Sequence, residues 1–182
     1  MILSVMLKIM FSKIYSYGLM GLKGLKIDVE VDTNLGLPRY DIVGLPDTAV
    51  KESGERVHSA IKNSGFKFPN NKITVNLAPA NVKKAGANFD LPISIAILCS
   101  ANEVPLDKAK AFIIMGELGL DGKIKAINGV LPALISARSD GYQNFIIPKA
   151  NEKEASFIDG INVYAFSSLV DVVAFLNGTL NM

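Results

Sequence analysis

The stretch GELGLDGKIKAINGVLPALISARSDGYQNFIIPKANEKEA, residues 116–155, decides the fold. It completes a strand over 111–117, turns around Asp121-Gly122, and continues as a strand over 122–127. Pro132 suits the first turn of the helix that follows, because its fixed φ is helical and its missing N–H has no intrahelical partner there. That helix ends near Gly141, and Phe145 to Ile147 is a short apolar run with the character of a buried strand. Strand, turn, strand, helix, strand is the pattern of an α/β domain.

The rest of the chain fits the same architecture. Residues 12–17 and 24–32 read as strands; in KIDVEVD, Ile27, Val29 and Val31 alternate with Asp28, Glu30 and Asp32, which makes one face apolar and the other wet. Asn34, Gly36 and Pro38 break the chain before a third strand over 39–43. Asp47 or Thr48 is placed to cap a helix running to about Asn63, with Val50, Val57 and Ile61 on its apolar stripe and Lys51, Glu55, His58 and Lys62 opposite. Gly65 ends it. Residues 72–77 are a fourth strand, and a buried helix is predicted over 91–101. A strand over 161–165 and a helix over 168–176 close the domain. No repeat, low-complexity segment or internal linker divides it.

At 182 residues the chain is long enough to bury a substantial core, and its composition, 49% hydrophobic and 20% charged, is that of a globular domain with apolar surface to spare for a partner. The lone Cys99 lies in the apolar run LPISIAILCSA, which points to a buried thiol, excludes a disulfide framework, and suits a reducing, cytoplasmic setting. The first residues, MILSVMLKIMF, are apolar but shorter than the about 20 needed to span a bilayer. They lack the basic start and cleavage site of a signal peptide. Residues 1–9 therefore read as an extension or extra strand outside the core, with Met10 as an alternative start; 10–178 is the domain and 179–182 a tail.

Three blocks carry a family resemblance: GLPRYDIVGLPDTAVKESGERVHSAIKNSGFKFP (36–69), KITVNLAPANVKKAGANFDLPISIAIL (72–98), and the 116–155 stretch. Together they resemble the N-terminal domain of the ComM/YifB-type, magnesium-chelatase-like AAA+ proteins, from Met10 to about Gly178. The 116–155 block is also similar to the second half of Lon proteolytic domains. The resemblance implies an α/β sandwich of Lon-like fold, shared with the second domain of a small-subunit ribosomal protein. Lon enzymes carry their catalytic Lys at the helix start in a pattern like G-G-L-K-E-K. Here Gly129-Val130-Leu131-Pro132-Ala133 puts Leu131 at that place. Their Ser lies in a pattern like K-D-G-P-S-A-G; aligned through Lys84 and Gly86, it falls on Asn88. An amide is no alkoxide nucleophile and a leucine is no base, so the resemblance implies a fold without its dyad. ComM-type proteins continue into an ATPase module. No G-x-x-x-x-G-K-[ST] loop occurs in these 182 residues, so ATP and magnesium are expected only in a separate module, in cis or in trans. The family further implies a cytoplasmic, hexameric DNA motor that acts in natural transformation, with no membrane partner. The competing readings are a degenerate Lon-like peptidase and a protein-interaction module of a magnesium-chelatase-like assembly.

The remaining candidates are structural. Ser94 and Ser100 sit in the buried helix with no Lys to activate them. His58, the only histidine, lies on a polar helix face, and no H-x-x-x-H or C-x-x-C spacing marks a metal site. Glu117 is expected to hydrogen-bond the facing turn, and Asp90 to cap the helix that begins at Leu91. One charge pattern stands apart. From Arg56 through Phe89 there is no acid, and Arg56, Lys62, Lys67, Lys72, Lys83 and Lys84 give the stretch +6 in a chain of net +2. Phe66 and Phe68 are interleaved with them. Lys62, Lys67, Lys72, Lys83 and Lys84 are therefore candidates for one DNA-binding surface, and Gly86 for a turn whose amides meet an anion.

Overall fold

A long hairpin comes first in the computed structural model, which describes residues 11–181. The predicted extension over 1–9 and the alternative start at Met10 lie outside the described residues. Strands β1 (Phe11–Met20) and β2 (Lys23–Asn34) pair antiparallel from Phe11↔Asp32 to Met20↔Lys23. Gly21, at φ +64°, lets the two-residue turn close. Then follow β3 (Arg39–Val43), α1 (Thr48–Lys51), α2 (Ser53–Asn63), β4 (Lys72–Ala78), α3 (Asp90–Ser100) and α4 (Leu106–Ala109). Next come β5 (Ile113–Ile114), β6 (Glu117–Leu118), β7 (Ile124–Lys125) and α5 (Val130–Ser139). Last are β8 (Asn144–Pro148), a 3-10 turn (Lys149–Asn151), α6 (Glu152–Ala155), β9 (Asn162–Phe166) and α7 (Leu169–Leu176).

Among the described residues seven strands form one mixed sheet in the order β3-β4-β2-β1-β5-β8-β9. The β1–β2 and β2–β4 pairs are antiparallel, while β3–β4, β1–β5, β5–β8 and β8–β9 are parallel. Strands β6 and β7 make a separate small hairpin.

Alternation along the strands feeds two cores. Ile14, Ile114, Ile146 and Phe166 point into a cluster with α2, α3 and α7, while Tyr17, Ile113, Phe145, Ile147 and Ala165 point into a second with α5 and α6. The α/β architecture read from the sequence is thus two helical layers on one sheet. Helix α3 is buried at all eleven positions, so its serines are lined by protein. Ser94 and Ser100 donate their hydroxyls to the carbonyls of Leu91 and Ile97, and Ser12 donates to Ala96 O at 2.6 Å. On the wet face of the hairpin, Lys13 lies 2.5 Å and Lys26 3.3 Å from Asp28, with the Lys26 ammonium 4.3 Å from the centre of the Tyr15 ring.

Three predicted elements depart from expectation, one of them the strand over 122–127, which is confined to Ile124–Lys125. The single helix over 47–63 is interrupted at Glu52, ahead of the Ser53-Gly54 pair; such pairs are weak points of a helix. Its N-cap is Asp47, whose carboxylate accepts from Val50 N at 2.8 Å. The strand over 111–117 is only two residues long, because the chain leaves the sheet at Gly116. There the Gly116 amide donates to Asn88 O at 3.0 Å, and Gly116 O accepts from Leu91 N at 2.9 Å. A Cβ on Gly116 would lie 3.1 Å from the Leu91 side chain, so glycine permits this close approach. Among the described residues no helix is long and apolar enough to cross a membrane.

Candidate functional site

The end of strand β1 meets two loops at one end of the sheet, residues 85–88 between β4 and α3 and residues 126–129 ahead of α5. They enclose a cleft of about 350 Å³ whose lining includes Tyr17, Leu19, Gly86, Asn88, Glu117 and Gly129. Asn88 is half-buried, and its Nδ2 donates to Tyr17 O at 3.2 Å. Tyr17 is itself fixed, its hydroxyl donating to Asp140 Oδ2 at 2.6 Å, and burial pushes the phenol well above its ordinary pKa. Gly129 starts α5 at φ +82°, and a Cβ there would lie 2.2 Å from Leu19 Cδ1. Leu131, in the first turn of α5, is not part of the lining. Its amide donates to Glu154 Oε2 at 3.3 Å. Glu154 is placed by Asn151, whose side chain also bridges the N–H and C=O of Ile127 at 3.0 and 2.9 Å.

Behind the cleft lies a buried ion pair. Arg56 Nε is 2.7 Å from Asp90 Oδ2, and Arg56 Nη2 is 3.0 Å from Oδ1 and 2.8 Å from Ala49 O. The wholly buried Asp90 also accepts from Leu118 N at 3.3 Å. Burial raises the Asp90 pKa, while the guanidinium and the Leu118 amide oppose that rise. Asp90 is therefore not the helix cap that its position suggests: Phe89 stands at the N-cap of α3, and the carboxylate ties α2 and β6 to the start of α3. Glu117 pairs not with a turn but with its cross-strand neighbour Lys125, at 3.5 Å. Among the described residues no group of three or more His, Cys, Asp or Glu side chains is arranged to hold a metal ion.

The basic run is divided in space. Lys84 is 2% exposed, and its ammonium donates to the Pro79 carbonyl. Its backbone is pinned by Lys84 N to Leu45 O and Asp47 N to Lys84 O, at 3.0 and 2.9 Å. Burial lowers its pKa. Lys84 is thus corrected from a surface cation to a buried loop anchor, since a charge already spent on a carbonyl inside the fold cannot meet a phosphate. The Gly86 amide donates to Asp47 Oδ2 at 3.2 Å, so an anion approaching that turn would face a carboxylate. Lys62, Lys67 and Lys72 are exposed around the N-terminal end of β4, while the exposed Lys83 lies beyond its other end. At about 3.3 Å per residue, the strand separates the two groups by roughly 20 Å.

At the Lys72 end there is a second, open groove of about 390 Å³, lined by Arg39, Tyr40, Lys51, Glu55, His58 and Phe68 among others. His58 is half-buried rather than fully solvated and meets Phe68 edge to face, ring centres 4.6 Å apart at 88°. The sequence marked Phe68 as an aromatic among lysines, but not its partnership with His58.

A family model for the ChlI subunit of Mg-chelatase matches residues 29–151. The chain is 42% identical over 165 residues to a competence protein, ComM, of Haemophilus influenzae, covering 91% of this chain and 32% of that protein. It is 39% identical over 167 residues to YifB of Escherichia coli, covering 92% and 33%. Lon protease 2 of Bacillus subtilis is 28% identical over 124 residues, 68% of this chain and 22% of the protease, in keeping with a Lon-like fold. The chain spans about a third of the length of the ComM and YifB relatives it matches. It belongs to the Mg-chelatase ChlI-like family and corresponds to the N-terminal region of the ComM/YifB members.

Proposed function

We propose that this chain is a non-catalytic accessory domain of a ComM-type, DNA-remodelling AAA+ ATPase, which positions DNA, holds subunits together, or does both. The observation that carries the reading is the pair Asn88 and Leu131. Asn88 spends its amide on the Tyr17 carbonyl, and Leu131 turns its backbone to Glu154. Neither can supply the nucleophile or the base of acyl transfer. The degenerate-peptidase alternative would therefore have to start the reaction without the Ser–Lys dyad of Lon enzymes. ATP and magnesium belong to a separate ATPase module, and the complete assembly is a cytoplasmic homo-oligomer, a hexamer, that serves natural transformation. Leu22, Leu35 and Leu37, each at least 87% exposed on loop tips, favour the subunit-contact part of the role.

Two measurements test this. The purified chain should leave casein and fluorogenic peptides uncut, with or without ATP; turnover abolished by a serine-acylating reagent would overturn the reading. Duplex DNA should bind weakly and with strong salt dependence. With Lys84 buried, about three phosphate contacts give a slope of log K against log salt near −3. No DNA binding at low salt, with self-association intact, would leave only subunit assembly.

A further inference from the structure

We propose that the groove between α2 and β3 binds single-stranded DNA, with one base stacked on Phe68 and the flanking phosphates held by Arg39, Lys51 and Lys72. This rests on the accessory-domain reading and names the form of nucleic acid that the groove takes. At about 390 Å³ the groove is near the lower end of the size range for small-ligand sites, room for about one nucleotide rather than a duplex.

The aromatic is positioned, not merely present. Phe68 is half-buried, packs against the core beneath it, and is braced by His58. Phe68 is only half-buried and lines the groove, so part of its ring is open to an incoming base. Gly54 keeps the groove wall close, because a Cβ there would lie 2.9 Å from the Tyr40 ring.

Charge favours an anionic strand over a peptide. Arg39 and Lys51 line the groove; Lys72 sits beside Arg39 in the β3–β4 register; Lys62 follows His58 by one helical turn, and Lys67 adjoins Phe68. The acids facing them are Glu55, in the lining, and Asp41, 2.8 Å from Arg39 Nε. Among the described residues none of Lys51, Lys62, Lys67 and Lys72 forms an ion pair, a property they share with Lys23, Lys83, Lys108, Lys110 and Lys153, so what sets them apart is their place around the groove. Unpaired cations around an aromatic platform are what sequence-tolerant single-strand binding requires.

The test uses the full chain and a fluorescent oligo-dT of about 15 nucleotides, with a duplex of equal length alongside. Phe68→Ala, its fold checked by circular dichroism, should weaken single-strand binding about tenfold or more and leave the salt slope unchanged. The double variant Lys51→Glu/Lys72→Glu should flatten the slope by about 1.4, at about 0.7 per single-strand phosphate. The chain has no Trp, so Phe68→Trp supplies a single indole, which should retain binding and be quenched by oligo-dT. Lys83→Glu, at the far end of β4, should change single-strand binding little. Undiminished binding by a folded Phe68→Ala protein, or an unquenched indole at saturation, would overturn the groove. Single-strand binding lost through Lys83→Glu instead would also overturn it and leave the accessory-domain reading standing. No binding of either DNA form at low salt would remove both the groove and DNA positioning.

Discussion

Arg56 and Asp90 lie 34 residues apart and meet at 2.7 Å behind the cleft. Removing one partner strands the other. Arg56→Met should cost about 3–5 kcal/mol in urea unfolding at neutral pH, because a wholly buried carboxylate loses its counter-charge. Arg56→Met/Asp90→Leu should recover much of that loss, and a double variant no better than the single one would show that the pair is not the cause. The pH dependence has a defined sign. Without Arg56 the carboxyl's folded pKa rises further above its unfolded value, so the penalty is largest at neutral pH and shrinks as pH falls through the folded pKa. Cys99 behaves alike. Burial pushes its thiol from 9.0 to about 12, so its contribution to stability is complete below about pH 9 and is lost as pH rises through about 12. Iodoacetamide at pH 8 should leave Cys99 unmodified in the folded chain and modify it readily in urea. Labelling of the native protein would mean that α3 opens locally.

At the scale of elements, what was legible in the sequence was whatever depends on near neighbours. Alternation of Ile27, Val29 and Val31 with Asp28, Glu30 and Asp32 located β2, and Asp47 capped a helix as its side chain allows. Helices α4 and α6 went unread because a single turn has no periodicity to show. The early exit of β5 was hidden because it depends on Gly116 meeting Leu91, a contact across 25 positions. The site divides the same way. The identities of Asn88 and Leu131 could be read by resemblance, but the burial of Lys84 could not, since Leu45 and Asp47 hold it from another loop. Close packing of α5 on the hairpin is a further tertiary feature with a testable consequence. The Gly24 amide donates to Ser136 Oγ at 2.9 Å, and a Cβ on Gly24 would lie 2.8 Å from Ser136 Cβ and 3.1 Å from Ala133 Cα. Gly24→Val should push α5 from β2 and cost about 1–3 kcal/mol in thermal or urea unfolding. Adding Ser136→Ala should return only part of it, because the backbone at Ala133 stays in the way.

The whole molecule is organised by one sheet serving two cores. Strands β1, β5, β8 and β9 send alternate residues to opposite layers, so neither helical layer has a sheet of its own. Phe145 and Ile147 belong to the α5–α6 side while Ile146, between them, belongs to the α2–α3–α7 side; pulling β8 out of register would empty both. The layers should therefore unfold together. The chain has no Trp, which allows one reporter per layer: Phe175→Trp against the first cluster and Tyr142→Trp against the second. Each variant, unfolded in urea, should show its fluorescence transition coinciding with its own far-UV circular dichroism. The two midpoints should differ only by what each substitution costs, with equal m-values, since each transition exposes the same total surface. An indole signal that precedes the loss of secondary structure in one variant only would show that its layer detaches alone. Cooperativity of this kind also bears on the groove. Phe68 packs on the first cluster, with His58 against its ring, so a base stacked on Phe68 stabilises the entire domain and should raise the midpoint reported from both layers.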